Sequence, residues 1–291
     1  MDISQFISHL DFTAIAIASA FFGALSNIFA RKLLKDVESY NVMGLSFLMV
    51  GSTLLIFSPI FYHFTPSWIT IGLLYSIGII DTAANYYYFK SFEQSDAGIA
   101  TSLLALAPII TFIGAFLFLG TQTPLLTVVL ALFIMISIIV LSSDGPIRLR
   151  SLHKTTLFAP ILASVLYGLS SIPSKMLLSN LNAINAPTLY MFRATIIGMC
   201  SFIFMRPNLQ KITFHHYRMV WLQGILAIFT WVSLYYALSK GNPGITMTLA
   251  NTTPVFTIIL GALLLRERIT AKKLLSTALI LIFSAIIVFY K

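Results

Sequence analysis

Asp81 is the only one of the chain's nine carboxylates that lies well inside an apolar stretch. If that stretch crosses a membrane, a charge at its centre costs at least about 2.5 to 3.5 kcal/mol, so Asp81 needs a partner, a water-filled cavity or a proton. Gly78, Asn85 and Tyr88 stand at i−3, i+4 and i+7, on the same helix face. Two interpretations stay open. Asp81 belongs to a polar site that exchanges protons, or it locks two helices together through a hydrogen bond.

Arg193 is a second charge inside an apolar stretch, within Met191-Phe192-Arg193-Ala194. It lies about 7 residues from the start of that stretch, or roughly 10 Å at 1.5 Å per residue. From this depth the side chain could reach back to the interface or lock onto the backbone. Its guanidinium could instead hold a carboxylate or phosphate in a planar fork. A third interpretation is an internal ion pair with Asp81.

Two prolines are predicted to break apolar helices near their middle. Pro108 and Pro254 each remove a backbone donor and free the carbonyl four residues earlier, which is Ala250 in the second case. Such irregular backbone is tolerated at membrane depth where protein or a water-lined cavity satisfies it. The segment before Pro254 is Asn251-Thr252-Thr253, which offers side-chain donors and acceptors to a ligand. The alternative is that these side chains cap the broken helix locally.

Aromatic side chains gather in Tyr86-Tyr87-Tyr88 and at Trp231 with Tyr235-Tyr236. Trp231 lies too deep in its stretch for a belt at the membrane surface. With Tyr235 it predicts the wall of an amphipathic cavity, which could include cation–π contact. An interfacial belt is the alternative for the tyrosines and the interpretation for Trp68 and Trp221.

The composition places these residues in a membrane. Hydrophobic residues make up 58% of the chain and charged residues 9%, with a mean hydropathy of +0.92, whereas a soluble domain is about 25% charged. A span needs roughly 20 apolar residues. Ten stretches qualify, at 11–30, 41–63, 67–89, 97–119, 124–142, 156–177, 186–205, 219–239, 243–265 and 270–290. The sequence predicts an all-α integral membrane protein without a soluble module. The single cysteine, Cys200, excludes an intrachain disulfide and a multi-cysteine metal site.

The sequence also repeats itself. Pro108 pairs with Pro254 at a spacing of 146 residues, and Ser26 pairs with Ser170 at a spacing of 144. Each copy holds five spans, and an odd number of crossings forces the second copy to start on the opposite side of the membrane. We therefore predict two inverted five-helix repeats around a central cavity that the third, fourth, eighth and ninth spans enclose. The predicted boundaries are 1–142 for the first repeat, 143–155 for a linker and 156–291 for the second repeat.

Loop charge predicts the orientation of these spans. Fourteen Lys and Arg residues fall at one side, and only Lys175, Lys240 and Lys291 fall at the other. Short cytoplasmic loops carry the excess of Lys and Arg. Both termini are therefore expected outside the cytoplasm.

The repeated unit resembles the drug/metabolite transporter superfamily, specifically its ten-span EamA-type members. The matching pieces are the small-residue stretch Leu103–Pro108, Phe118-Leu119-Gly120, and the turn Leu264–Thr270, in which Arg266 replaces a glycine. Arg193 matches an arginine often found early in the second-type helix of this family. In the first copy, Thr121 and Gln122 stand where the family has a glutamate and its neighbour. The resemblance covers nearly the whole chain and implies cytoplasmic termini, contrary to the loop charge.

These observations favour a secondary transporter that moves a small polar or amphipathic metabolite, of amino-acid size, by alternating access. We expect it in a bacterial cytoplasmic (inner) membrane, with lipid, substrate and protons as partners and without nucleic acid or an ATPase subunit. No catalytic residue, cofactor or metal is expected. A translocator for a lipid-linked intermediate is the alternative, and a membrane-embedded enzyme is disfavoured by the single deep carboxylate. The candidate substrate-binding residues are Asp81, which would also couple protons, Asn85, Tyr88, Arg193, Trp231, Tyr235, Asn251, Thr252 and Thr253, with helix breaks at Pro108 and Pro254.

Overall fold

Eleven helices build the part of the chain that the computed structural model describes, which is residues 11–34, 36–94, 104, 106–142, 154–265 and 271–290. In chain order they are α1 Phe12–Leu33, α2 Ser39–Phe61, α3 Trp68–Gln94, α4 Ala107–Leu119, α5 Leu125–Ser142, α6 Lys154–Lys175, α7 Ala186–Met205, α8 Phe214–Lys240, α9 Pro243–Ala250, α10 Thr253–Leu265 and α11 Ala271–Tyr290. A π-helical turn, Met176–Asn180, extends α6, and a 3-10 turn, Leu209–Lys211, precedes α8.

These helices have the length and composition of membrane spans. Among the described residues, five helices are long and apolar enough to cross a membrane, over Phe12–Ala30, Ser39–Phe61, Phe158–Asn180, Ala186–Met205 and Phe214–Lys240. Shorter apolar helices cover Ala107–Leu119, Leu125–Val140 and Leu274–Tyr290. The other two predicted spans correspond to α3, which is 27 residues long and carries Asp81, and to the broken pair α9 and α10. The predicted all-α membrane fold is confirmed.

The connections between spans gather at two faces. At one face, which we name the Thr65 face, the loop 62–67 meets the loop 181–185 through a hydrogen bond of 2.8 Å from Thr65 N to Ala183 O. The turn 241–242 lies at the same face, where Asn242 Nδ2 donates to Thr123 Oγ1 at 3.0 Å. At the opposite face, which we name the Asn208 face, Asn208 N donates to Asn41 Oδ1 at 2.6 Å. Hydrogen bonds thus join residues of the first half to residues of the second half at both faces.

Lys175 closes the C-terminal end of α8 at the Thr65 face. Its Nζ donates to the carbonyl oxygens of Leu238 at 2.8 Å, Ser239 at 3.1 Å and Gly241 at 2.9 Å. The last carbonyls of a helix have no partner within the helix, and a cation is favoured there by the helix dipole. Lys175 therefore ties the end of α6 to the turn that leads into α9.

The helices pack in pairs that repeat when the two halves are exchanged. The first helix of each half packs on the third span of the other, as α1 on α8 and α6 on α3. The second spans, α2 and α7, pack on each other, and so do the fifth spans, α5 and α11. Such reciprocal contacts are the mark of a two-fold relation between two units. With five spans in each half, this relation is the inverted repeat predicted from the sequence.

The pseudo-two-fold axis passes between α2 and α7. Gly51 stands 144 residues before Thr195, which is its equivalent in the second half, and the two are in contact. A Cβ atom at Gly51 would lie 2.8 Å from Thr195 Oγ1 and 3.0 Å from its backbone nitrogen. Glycine is therefore needed here so that the two backbones can approach closely, as small residues allow between membrane helices.

Apolar clusters hold the halves together, and the outer surface is apolar as well. One cluster joins α2, α3, α7 and α8 through residues such as Val50, Ile77, Leu189 and Leu238. The outside carries exposed aromatic and aliphatic side chains, of which Trp68 is 91% exposed and Phe118 68% exposed. Such a surface fits contact with lipid.

Three predicted features lie outside the described residues. They are residues 97–103 at the start of the fourth predicted span, residues 143–153 of the predicted linker, and the turn at 266–270 that carries one of the family-like motifs. The domain boundaries at the linker and the orientation of the termini stay predictions.

Candidate functional site

A cavity of about 490 Å³ lies between the two halves. Its wall draws on the first four spans of each half, from α1 to α4 and from α6 to α10, whereas none of the described lining residues comes from α5 or α11. The sequence predicted the third, fourth, eighth and ninth spans around the cavity, and all four contribute to its wall. The first, second, sixth and seventh spans join it because α1 packs on α8, α3 packs on α6, and α2 crosses α7 at the pseudo-two-fold axis.

An ion pair between Asp81 on α3 and Arg193 on α7 lies at one end of this cavity. Asp81 is fully buried and does not line the cavity, whereas Arg193, 4% exposed, does. The guanidinium also donates to Ser170 Oγ at 3.1 Å and to Ser174 Oγ at 3.3 Å, both on α6. Of the three interpretations of Arg193, the internal ion pair is the one seen in the structure. The guanidinium also lines the cavity.

Aromatic rings surround the guanidinium on its other side. Arg193 Cζ lies 4.5 Å from the ring centroid of Tyr235 and 5.7 Å from that of Trp231. Tyr190 stacks on Trp231, with centroids 6.2 Å apart and an interplanar angle of 20°. Tyr167 approaches Trp231 at 6.2 Å from the α6 side. The cation is thus placed between a carboxylate and aromatic faces, where cation–π attraction stabilises it. Trp231 lines the cavity, and its contact with a substrate stays a prediction.

The polar face predicted on α3 divides between the cavity and the packing of helices. Asn85 and Tyr88 line the cavity. Asn85 Nδ2 donates to Asp81 O at 2.8 Å, and Asn85 Oδ1 accepts from the Tyr167 hydroxyl at 2.9 Å. Gly78, the fourth member of that face, packs against α7, where a Cβ atom would lie 2.7 Å from Ile196.

At the break in the ninth span, threonine hydroxyl groups cap the C-terminal end of α9. Thr252 Oγ1 donates to Leu249 O at 2.7 Å, and Thr253 Oγ1 donates to Ala250 O at 2.8 Å. The carbonyl that Pro254 frees is therefore satisfied locally, which is the alternative interpretation of this segment. Asn251, Thr253 and Pro254 nevertheless line the cavity, whereas Thr252 is buried away from it.

The break in the fourth span is satisfied by a neighbouring helix. Pro108 is buried in the first turn of α4. The carbonyl of Leu104, four residues earlier, accepts a hydrogen bond of 3.3 Å from Ser164 Oγ on α6. Leu104 and Ala107 line the cavity while Pro108 does not. The two breaks thus lie at equivalent positions of the repeat, but the freed carbonyl accepts from another helix in the fourth span and from its own span in the ninth.

A second polar cluster, which was not predicted from the sequence, lines the cavity towards the Asn208 face. Ser46 Oγ donates to Gln223 Oε1 at 2.7 Å, and Gln223 Nε2 donates to Ser26 Oγ at 3.1 Å. Ser26 is the repeat equivalent of Ser170, 144 residues earlier. That pairing was visible in the sequence. Gln223 gave no signal, because an amide near the start of a span is ordinarily interfacial.

The cavity therefore has two unlike ends. Arg193 is the eighth residue of α7, which begins at the Thr65 face, and Gln223 is the tenth residue of α8, which begins at the Asn208 face. One end carries an ion pair and the other carries neutral hydrogen-bonding groups. The middle of the cavity differs between the halves as well. Tyr167 occupies a position whose first-half equivalent is Gly23, and a Cβ atom at Gly23 would meet Thr230 only at 3.4 Å. The absence of a side chain at Gly23 widens the cavity.

The EamA-like transporter family model matches residues 13–143 and again residues 154–289. The chain belongs to the EamA-like transporter family. The two matched segments are the two halves that pack around the cavity, so the family unit corresponds to one five-span repeat. A solved structure described as a crystal structure of a protein is similar over 96% of both chains, with a TM-score of 0.77 and 14% sequence identity. At that identity the likeness concerns the fold alone. No curated protein matches the sequence.

Membership of the EamA-like family makes this chain an integral, multi-pass membrane protein of a transporter family that handles small molecules. Most of the site residues predicted from the sequence lie in the wall of the central cavity. Asn85, Tyr88, Arg193, Trp231 and Tyr235 meet at the cavity, and Asn251 and Thr253 join them from the ninth span. Asp81 stands behind Arg193, and its role in proton coupling stays a prediction.

Proposed function

We propose that this protein is a secondary transporter that carries a small amphipathic metabolite, of amino-acid size, across a bacterial cytoplasmic membrane by alternating access. The observation that carries the proposal is the central cavity with a wall drawn from both inverted halves. Its volume of about 490 Å³ falls in the range of roughly 300 to 1,000 Å³ that is typical of small-molecule sites. Inverted repeats place a substrate site near the membrane midplane, where rocking of one half against the other exposes it to each side in turn.

The chemistry of the wall supports an amphipathic substrate. Rings of Tyr88, Tyr190 and Trp231 offer apolar faces, while Arg193 and Gln223 offer polar groups at the two ends. A ligand with an apolar body and polar termini would use both kinds of surface. A purely apolar ligand would leave the buried polar groups without water or a partner, which costs free energy.

Coupling to protons is part of the proposal and rests on the ion pair. Asp81 and Arg193 come from different halves, so motion of one half against the other can separate them. A carboxylate separated from its partner inside a membrane is costly, and it is relieved by taking up a proton. Asp81 is thus the group through which a proton gradient would act on the transport cycle.

The test is uptake by proteoliposomes from a pool of metabolites, with and without a pH gradient. The matched variants are Gly23→Leu, which places a side chain in the cavity between Thr230 and Thr253, and Gly72→Leu, where nothing lies within 4 Å of an added Cβ atom. We expect Gly23→Leu to abolish uptake and Gly72→Leu to leave it unchanged. Uptake that is equal in the two variants would show that the substrate does not pass through this cavity.

A further inference from the structure

The cavity wall that the structure describes offers a ligand one cation and two buried donor groups that lack a hydrogen-bond partner. Among the lining residues that the structure describes, Arg193 carries the only formal charge, and neither a carboxylate nor a lysine joins it. Two further donors, the Tyr235 hydroxyl and Asn251 Nδ2, are buried and have no hydrogen-bond partner within the described ranges. Buried polar groups are nearly always satisfied, so donors left over in a cavity wall point to a ligand that accepts hydrogen bonds.

We propose that the cavity binds a monocarboxylate with an apolar or aromatic body, and that its carboxylate takes Arg193 from Asp81. This inference rests on the transporter function proposed above. An arginine has five N–H donors in a planar fork, which matches a carboxylate. Arg193 presents this fork between the cavity and Asp81, so a carboxylate in the cavity and the Asp81 carboxylate compete for one cation.

Replacing Asp81 by the substrate as the partner of Arg193 adds one negative charge to the site, which one proton neutralises. When the substrate anion pairs with Arg193, the Asp81 carboxylate, which is fully buried and does not line the cavity, loses its partner. One proton then binds to an Asp81 carboxylate oxygen, so that one anion and one proton enter the site together and no net charge is added. Among the residues that the structure describes, the other titratable groups that face the pair are phenols, of Tyr167 on α6, Tyr190 on α7 and Tyr235 on α8. Asp81 is therefore the group that takes the proton.

Other ligand charges fit the wall less well. An ammonium group would meet the positive charge of Arg193 and no carboxylate in the described wall, because Asp81 is fully buried behind Arg193. A zwitterion would therefore leave its ammonium group unpaired. A phosphate monoester carries about −1.5 to −2 charges near neutral pH, which a single guanidinium does not balance. Trp231 and Tyr190, stacked at 6.2 Å, provide a flat apolar face for the body of the ligand.

Four probes that share a phenyl group test the charge preference. They are 3-phenylpropanoate, phenylalanine, 2-phenylethylamine and phenyl phosphate, each titrated by calorimetry into the full-length protein in detergent at neutral pH. Titration in two buffers with different ionisation enthalpies reports the protons taken up on binding. We expect 3-phenylpropanoate to bind with uptake of about one proton, and the other three to bind at least about tenfold more weakly.

Variants of the pair separate exchange from simple attraction. Asp81→Asn removes the competing carboxylate, so 3-phenylpropanoate should bind about tenfold more tightly and without proton uptake. Arg193→Gln should lose binding. If Arg193→Gln fails to fold, the double variant Asp81→Asn with Arg193→Gln, which carries no buried charge, serves in its place and should not bind the anion.

Other results would contradict specific parts of this proposal. Tighter binding of phenylalanine or 2-phenylethylamine refutes the anion preference, and tighter binding of phenyl phosphate refutes the choice of carboxylate. Binding of the anion without proton uptake, or with equal affinity in Asp81→Asn, refutes the exchange. If no probe binds while the metabolite pool is taken up through the cavity, this inference fails and the transporter proposal stands. If neither occurs, both fail.

Discussion

Replacing Arg193 by glutamine should destabilise the fold more than replacing Arg193 and Asp81 together. The single change removes the partner of a carboxylate that is fully buried. Breaking a buried ion pair by removing one partner costs about 3 to 5 kcal/mol, because the remaining charge is left uncompensated. A proton taken up by Asp81 relieves part of this cost, which places the expected loss at the lower end, about 3 kcal/mol.

The double variant, Asp81→Asn with Arg193→Gln, leaves no charge behind. It loses the hydrogen bonds from Arg193 to Ser170 and Ser174, each worth about 1 kcal/mol, and a glutamine amide can replace part of them. We expect a net loss of about 1 kcal/mol on that basis. The two substitutions are therefore coupled by more than about 2 kcal/mol, within the range measured for residues in contact.

The assay is thermal unfolding in detergent, followed by size-exclusion chromatography after heating. At about 2 °C per kcal/mol for a chain of this size, Arg193→Gln should lower the Tm by about 6 °C and the double variant by about 2 °C. Arg218→Gln, at an exposed arginine on α8, is the control and should change stability by less than about 0.5 kcal/mol. Losses that add, with the double variant less stable than either single variant, would refute the argument that an unpaired buried charge dominates.

Three further substitutions test the framework around the cavity. Lys175→Met should cost about 2 kcal/mol or more, because the carbonyls of residues 238 and 241 lose their donor, and thermal unfolding measures it. Gly51→Ala should cost about 1 to 3 kcal/mol through a clash with the Thr195 backbone, whereas Gly72→Ala, in open space, should be neutral or stabilising; equal Tm values would contradict the close approach. Thr253→Val should leave the Ala250 carbonyl without a donor and cost about 1 to 3 kcal/mol. Thr253→Ser keeps the hydroxyl and should have the Tm of the unmodified protein. A Thr253→Val variant that is as stable as Thr253→Ser would show that this hydrogen bond is dispensable.

Much of the fold follows from the sequence because it depends on patterns within single segments. Apolar stretches of membrane length, separated by short polar loops, predict the helices. The spacing of 144 to 146 residues between matching motifs predicts the two halves. The structure adds the partners of each helix. The reciprocal packing of α1 on α8 and of α3 on α6 depends on complementary surfaces, which periodicity does not specify.

The site was harder to predict for the same reason. Arg193 had three interpretations from its depth alone, and only the arrangement of α3 and α7 selects the ion pair. Asn251-Thr252-Thr253 could serve a ligand or cap the helix, and local hydrogen bonds at 2.7 and 2.8 Å make the two threonines caps. Gln223 acquires its place only through Ser26 and Ser46 on two other helices. The role of a residue that contacts several helices cannot be predicted from the pattern of its own segment.

The two unlike ends of the cavity have a consequence for the direction of transport. A substrate that enters from the Thr65 face reaches the ion pair first, and one that enters from the Asn208 face reaches the neutral Gln223 cluster first. The barriers along the two routes therefore differ, so the apparent affinity and the maximal rate need not be equal in the two directions. The ratio of forward to backward flux is nevertheless fixed by the gradients of the substrate and of any coupled ion, since a carrier with no other energy source obeys detailed balance. Asymmetry between the halves can make one direction fast, but only the gradients decide which way the substrate moves.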